Sequence, residues 1–324
     1  MDRPPDVVDL LPRCTFPPAG SPVVCALSGG PDSAALLVLA AAAGCDVTAV
    51  HVDHGLRAGS AAEAAAAAGL AAELGVPCRV ERITLADGPN LEARARAARR
   101  HALPPDALTG HTADDRAATL LVNLLRGAGG AGLAAMGPAP TRPILALRRS
   151  ETLGLCRTRG LQPVHDPTNA DPRFVRNRVR DELLPLMADI AGRDVVPLLV
   201  RTAALLADDV ALADAQSSGL DATDARALAA MAPPLARRVV RRWLTGVVGG
   251  GSGYPPDAAT VERVLQVAAG EHRACEITGG QRVERHRQRL RIVGSGALVS
   301  PDGMTSGIAA VEHGEQGSLD GGTA

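Results

Sequence analysis

Residues 22–43 read PVVCALSGGPDSAALLVLAAAA: a short apolar run, six small and turn-forming residues, then a longer apolar run. Pro22–Leu27 has the length and β-branched content of a buried strand. Asp32–Ala43 is too long for a strand and is closed by Gly44, so it reads as an apolar helix. The joint, Ser28-Gly29-Gly30-Pro31-Asp32-Ser33, lets the amides at the helix start come close to a ligand, and the helix dipole favours an anion there. The two serine hydroxyls add donors. Asp32 would repel a bare phosphate, so it points to a divalent cation held jointly with phosphate oxygens. A Gly-Pro turn with Ser33 or Asp32 as helix cap is the plainer alternative for the same residues.

The same alternation continues outward. Val47–Val52 reads as a strand, Ser60–Leu74 as a helix and Arg79–Leu85 as a strand. Asn90 can cap a helix to about Leu103, Ala107–Thr109 reads as a short fourth strand, and Thr112–Arg126 as a helix. Strands alternating with helices of this length predict an α/β fold, a doubly wound and mainly parallel sheet. Ligands of such sheets sit beyond the carboxyl ends of the strands. After Pro185 the alternation stops. Val195–Ala215, Asp224–Leu244 and Ala258–Ala269 read as helices, Gly246–Pro256 as a linker, and Ala274–Ile277 and Gln281–Val293 as strands. The expected organisation is an α/β domain over 1–190, a smaller helical appended domain over 191–300 ending in an arginine-rich strand, and a disordered tail over 301–324.

Composition narrows the function. The chain has 324 residues, a formal net charge of −1, and 34 basic residues that are all arginine. Without lysine there is no Schiff base and no Walker-type phosphate loop. One Trp, one Tyr and two Phe leave too few rings to grip bases by rows of stacked aromatics. Cysteines at 14, 25, 45, 78, 156 and 275 make no CxxC pair. The N-terminus carries Asp2, Asp6 and Asp9 with no apolar h-region, and no apolar run is long enough to span a bilayer, so the expected compartment is the cytoplasm.

Further motifs follow the strands. His51-Val52-Asp53-His54-Gly55-Leu56-Arg57 ends the second, and Thr109-Gly110-His111-Thr112-Ala113-Asp114-Asp115 follows the fourth. Two acids beside a histidine suit an incoming ammonium, an Mg2+ ion, or proton removal from an amine. A helix N-cap is the alternative for one of the acids. Arg126 opens a glycine-rich stretch, where it could neutralise phosphate charge, contact nucleic acid, or complement the helix dipole.

The SGGxDS loop resembles the phosphate loop of the N-type ATP pyrophosphatases (PP-loop superfamily), whose members adenylate a carbonyl oxygen and release pyrophosphate. With Asn90-Leu91-Glu92-Ala93-Arg94-Ala95-Arg96, Asp166-Pro167-Thr168-Asn169 and Phe174–Arg180 in this order, residues 20 to 190 resemble the tRNA(Ile)-lysidine synthetases, and Thr278–Ile292 is similar to that family's appended domain. The resemblance implies an ATP-dependent ligase. The wobble cytidine of a CAU-anticodon tRNA(Ile) is adenylated at O2, and the amine of free L-lysine displaces AMP at C2. It implies ATP binding by Ser28, Gly29, Gly30, Pro31, Asp32 and Ser33, with the adenine near Ala26 and His51 and Mg2+ on Asp32. It implies catalytic roles for Asp32, His111, Asp114, Asp115 and Arg126. Thr112, Arg116, Ala118 and Arg100 replace a histidine, a glutamine, a glutamate and a tyrosine usual in the family, and no role is assigned to them.

The charge distribution fits a nucleic-acid partner. Residues 236–300 hold eleven arginines against five acids. Arg285, Arg287, Arg289 and Arg291 alternate, and a continuous strand would put all four on one face. Arg237, Arg238, Arg241 and Arg242 cluster on a helix, and Arg176 and Arg178 lie beside the α/β domain with Arg173 and Arg180. Phosphate contact and plain surface charge are the two readings of each. Two other functions compete. A tRNA thiolase of the same superfamily would usually need a cysteine pair, which the spacing lacks. A non-catalytic nucleotide sensor would leave the histidine–diacid helix and the arginine clusters unused.

Overall fold

The computed structural model describes residues 5–53, 55, 60–83, 94, 98, 101–164, 171–248, 256–277 and 279–294. It divides into two compact units, Met1–Leu212 and Ala213–Ala324. In the first, a single helical turn, α1 (Val7–Leu10), precedes β1 (Pro22–Ala26), α2 (Pro31–Ala42), β2 (Asp46–Asp53), α3 (Ser60–Glu73) and β3 (Cys78–Arg82). The strands pair in parallel in the order β1-β2-β3, with Val23 opposite Val47 and His51 opposite Val80. Two right-handed crossovers stepping the same way put α2 and α3 on one face of the sheet. α2 is buried from Ser33 to Ala40. Alanine and leucine on every side suit a helix enclosed all round, here against the sheet and α6 (Arg149–Thr158).

The chain then crosses to the other side of β1. The Ala26 amide donates to Leu108 O at 2.8 Å, and the Leu108 amide to Val24 O at 2.7 Å. The expected strand Ala107–Thr109 is a single parallel bridge, Cys25 opposite Leu108. Pro104-Pro105 precede it, and the Thr109 amide turns away to Thr141 O at 2.8 Å, so pairing stops on both sides. The strand order reverses between β1 and Leu108, and a crevice opens beyond the strand ends at such a switch point. α4 (Ala113–Leu125) starts there. The unit continues through α5 (Gly130–Leu133), α6, α7 (Val175–Arg178), a wider turn at Val179–Leu183, α8 (Leu184–Ala191) and α9 (Val196–Ser217), which runs past the division between units.

The second unit packs α10 (Ala225–Ala230), α11 (Pro233–Val248) and α12 (Ala258–Ala269) with an antiparallel sheet of β4 (Ala274–Ile277), β5 (Gln281–His286) and β6 (Arg289–Val293). Val239, Val240, Leu244, Val264, Val283 and Leu290 are at its core. Two expectations are corrected here. The helix expected over Asp224–Leu244 is two helices, because Pro233-Pro234 cannot sit inside one and instead start the second. The strand expected over Gln281–Val293 is a hairpin: Arg287 and Gln288 take φ of 46° and 65°, the left-handed pair of a tight two-residue turn. The expected linker is helical as far as Val248, and 249–255 lie outside the described residues. So do the tail 301–324, the Asn90 cap and most of its helix, of which Arg94, Ala98, His101 and Ala102 are helical. Among the described residues no helix is long and apolar enough to cross a membrane.

One contact holds the two sides of the crevice together. Gly110 lies against the first turn of α2 so closely that a Cβ there would come within 2.7 Å of Asp32 O and 2.9 Å of Ser33 N. Both atoms are backbone and cannot yield. Gly110→Ala should therefore destabilise the protein by about 2 kcal/mol, on the scale of overpacking a close contact. Gly69, exposed in α3 with nothing within 4 Å of a new Cβ, is the control. Gly69→Ala should stabilise by about 0.5–1 kcal/mol. Thermal unfolding of both variants checks the pair, and equal melting temperatures would show that the Gly110 contact is not tight.

Candidate active site

The crevice is a cavity of about 400 Å³. β1 and β2 supply its floor through Ala26–Ser28 and Val50–Asp53, the first loop supplies Gly30–Ser33, and Thr109–His111, Asp115 and Arg149 close the far side. The loop after β1 is built to stay open toward it. Gly29 takes φ +84° and its carbonyl accepts the Val164 amide at 2.8 Å. Gly30 is the N-cap of α2, without a side-chain cap, and Pro31 follows at the first helical position. The amides of Asp32 and Ser33, at the second and third helical positions, have no intrahelical acceptor and point beyond the helix end, while Pro31 has no N–H to satisfy. Ser33 Oγ donates to Gly30 O at 2.9 Å and lies 3.1 Å from Ser28 Oγ, while the Ser28 amide donates to Ser33 Oγ at 3.2 Å. Two hydroxyls and two amides thus face the cavity where the dipole favours an anion.

Asp32 lines the same wall but is not bare. Arg149 Nη1 donates to its Oδ2 at 2.7 Å, and the buried Thr152 hydroxyl donates to its Oδ1 at 2.5 Å. Burial pushes its carboxyl above the ordinary range, while Arg149 and Thr152 pull the other way and Asp115 and Asp114 add to the rise. A carboxylate so placed fits a magnesium site in its chemistry. Mg2+ takes one or two protein carboxylates and completes its shell with phosphate oxygens and water. Among the described residues no group of three His, Cys, Asp or Glu forms a cage without such help.

The start of α4 is organised in the opposite way. Asp115 Oδ2 accepts the Thr112 amide at 3.0 Å and its hydroxyl at 3.2 Å, a capping box that closes this helix end. Asp115 therefore has the capping role weighed for one of the acids, and it also lines the cavity. His111 is oriented by Thr109. The Thr109 hydroxyl donates to Thr141 O at 2.9 Å, so its oxygen accepts from His111 Nδ1 at 2.8 Å. That assigns the ring proton to Nδ1 and leaves Nε2 as the basic nitrogen. His51 is held alike, its Nδ1 2.8 Å from Leu27 O.

Two residues selected from the sequence lie elsewhere. Asp114 turns away from the cavity and accepts Arg148 Nε and Nη2, each at 3.0 Å, and the Arg149 amide at 2.8 Å. It anchors the start of α6, where Arg148 also pairs with Asp194. Arg126 is the exposed C-cap of α4, a 13-residue helix, so it sits roughly 20 Å from the His111 end at 1.5 Å per residue. Gly29 supports the loop from behind. The sequence reading missed Arg149, Thr152 and Asp53. Asp53 accepts the Gly55 amide at 2.9 Å, which more than any other contact holds its carboxyl below the usual range. A signal for Arg149 exists: Arg148-Arg149 open a helix, where the dipole disfavours cations, so something else must hold them.

The hairpin corrects the one-face reading of the arginines. Arg285 lies opposite Leu290, and Arg291 opposite Glu284. Directly paired residues share a face, so Arg285 is on the side of buried Val283 and Leu290, and Arg289 and Arg291 are on the other. Arg285 donates to Ala268 O at 2.8 Å and Gln288 Oε1 at 2.6 Å, Arg289 pairs with Asp221, and Arg287 is in the turn. On α7, Arg176 is half-buried and Arg178 pairs with Glu182 at 2.9 Å.

Comparison with known proteins agrees with this arrangement. Residues 11–187 match the PP-loop domain family, and residues 224–291 match the TilS substrate binding domain. A tRNA(Ile)-lysidine synthase of Nocardia farcinica is 43% identical over 245 residues, covering 71% of this chain and 77% of that one. One from Salinispora tropica is 39% identical over 318 residues, covering 87% and 93%. One from Mycobacterium tuberculosis (strain ATCC 25618 / H37Rv) is 41% identical over 247 residues, covering 70% and 75%. With an ATP-using PP-loop domain and a substrate-binding unit in the same order, the chain belongs to the tRNA(Ile)-lysidine synthase family.

Proposed function

We propose that this protein adenylates O2 of the wobble cytidine in a CAU-anticodon tRNA(Ile) and then joins free L-lysine to C2 of that base. The observation that carries the reading is the single cavity in which an open helix start with two serine hydroxyls faces His111 and Asp115. Cytosine O2 attacks the α-phosphorus of ATP, and the bond to pyrophosphate breaks. A lysine amine then attacks C2, the C2–O2 bond breaks, AMP leaves with the oxygen, and the amine gives up a proton. Ser28, Ser33 and the amides of Asp32 and Ser33 hold the phosphates as charge builds on the leaving group. Ala26 and His51 border the adenine. Asp32 would hold Mg2+, which would neutralise phosphate charge, and Arg149, which lines the same cavity, would add a cation beside the phosphates. Asp115 draws in the ammonium, and His111 Nε2 accepts its proton. Asp114 is a positioning residue that keeps Arg148 and Arg149 in place. Arg126 contacts tRNA outside the cavity, and the exposed arginines of the second unit bind tRNA phosphates. The cytoplasm supplies all three substrates.

Radiolabelled lysine should enter a CAU-anticodon tRNA(Ile) transcript with one AMP and one pyrophosphate released per transfer. Sulfur incorporation, or ATP binding without turnover, would replace this reading by the thiolase or the sensor. In Asp32→Asn, pyrophosphate release should fall by at least about a hundredfold, the scale of one lost electrostatic stabiliser. A rate within a few-fold of wild type would remove the metal role from Asp32.

The two acids of α4 should separate. Asp115→Asn should slow lysine transfer more than adenylation, so adenylated tRNA accumulates. Asp114→Asn should slow both half-reactions alike and cost about 1–3 kcal/mol of stability, because it frees a charged arginine pair and an amide. Half-reaction kinetics with thermal melts check this, and identical behaviour of the two variants would contradict it. In the second unit, Arg287→Ala with Arg291→Ala should weaken tRNA binding and flatten its dependence on salt by about one to two units of slope, with ATP affinity unchanged. Filter binding across a salt series is the measurement. A wild-type slope would return both residues to plain surface charge.

A further inference from the structure

Half of the large apolar side chains that stand exposed among the described residues lie on two consecutive helices: Leu186 and Ile190 on α8, and Leu198, Leu205 and Leu212 on α9. The three leucines of α9 belong to the first unit and are 38%, 56% and 63% exposed. They are seven residues apart, about two turns each, so they form one stripe roughly 21 Å long. The packed side of α9 is the opposite one. Ala203 is buried with residues of α4, and Val210 Cγ2 lies 3.6 Å from where a Cβ on Gly130 of α5 would stand. At about 100° per residue, Ala203 and Val210 point away from Leu205. An outer helix face is ordinarily polar, and single exposed leucines are common, but a row of them marks a contact surface.

The charges beside the row decide what covers it. Arg201 and Asp208 are both exposed and lie on the same flank of the leucines. Neither side chain has a partner among the described residues. They do not reach each other, being seven residues and about 10 Å apart along the helix with Leu205 between them. A second, antiparallel α9 supplies what both lack. A two-fold axis at Leu205, perpendicular to the two helices, sets Leu205 against its own copy and Leu198 against the partner's Leu212. The same axis keeps each flank on its side. Arg201, four residues before the axis, then meets the partner's Asp208, three residues beyond it, within about 1.5 Å of the same height. A parallel copy would set arginine against arginine and aspartate against aspartate. The row is thus its own complement, as an isologous interface requires. Asp208 and Asp209 against one arginine make the same face repel phosphate, whether of nucleic acid or of lipid.

We propose that the leucine face of α9 joins two copies of this chain as an antiparallel helix pair, locked on one flank by two reciprocal Arg201–Asp208 ion pairs. The stripe alone is smaller than the roughly 800 Å² per partner of a standard interface, so the association is reversible and depends on concentration.

Sedimentation of the full chain over a concentration series, without ATP or tRNA, tests this. The wild-type protein should pass from monomer to dimer at micromolar to sub-millimolar concentration. Arg201→Asp and Asp208→Arg each place two like-charge pairs across the contact, and each should raise the dimer dissociation constant by at least about tenfold. An equal mixture of the two variants restores both pairs, as does the double variant Arg201→Asp with Asp208→Arg, and both samples should associate as the wild type does. Leu205→Glu, at the axis, should abolish the dimer and leave the melting temperature of the monomer unchanged. A wild-type chain that stays monomeric overturns the proposal, as does a dimer that these variants leave intact. Failure of both the mixture and the double variant to recover association overturns it as well. So does a lower melting temperature of monomeric Leu205→Glu, which means that the chain covers this leucine itself. Weaker tRNA binding in Leu205→Glu with association unchanged overturns it too, and gives the face to tRNA.

Discussion

The carboxylate of Asp114 is the interaction on which the site depends. It accepts two guanidinium N–H groups of Arg148 and the backbone amide of Arg149, and so fixes where α6 begins. That start places Arg149 against Asp32, on the far side of the crevice. One carboxylate thereby ties α4, α6 and α2 together at the point where the strand order reverses. The same helix start would be poorly stable without it, because two arginines oppose the dipole there. Thr152, one turn into α6, reaches Asp32 by the same route. The residue that carries the metal reading is thus positioned by a residue that never touches the cavity.

The two helix starts that meet at the crevice solve the same problem in opposite ways. Each leaves amides with no intrahelical acceptor. At α4, Thr112 and Asp115 satisfy them internally, and the helix end is closed. At α2, Gly30 offers no side chain to cap the helix, so Asp32 and Ser33 keep their amides for whatever enters. Closing one end and opening the other makes the cavity polar in one direction. The anion side is the glycine and serine loop, and the cation side is Asp115 with His111. ATP and an amine have the charges this division requires.

The second unit shows how a local conformation overrides periodicity. Strict alternation of arginines over 285–291 predicts a row of charge on one face. The left-handed turn at Arg287 and Gln288 folds that row back on itself. Arg285 is then drawn to the core side by its pairing with Leu290, and it reaches the carbonyl of Ala268 there. Charge that looked like one continuous surface is shared between a turn, one outer face and an internal hydrogen bond.

The amino-acid sequence by itself determined the alternation of strands and helices that makes a parallel sheet, the position of the phosphate loop and the open start of α2. These depend on neighbours in the chain: apolar runs of strand or helix length, glycine where the backbone turns, proline where an amide is absent. It also brought Ser28, Ser33, Asp32, His111 and Asp115 to one place, because residues after parallel strands converge at their carboxyl ends. It did not separate Asp114 from Asp115. Both sit in the first turn of α4, and only the arrival of Arg148, 34 residues on, turns one acid away from the cavity. Arg149 and Thr152 were decided by tertiary structure for the same reason. Their roles come from a partner distant in sequence, Asp32, and no local pattern of residues encodes it.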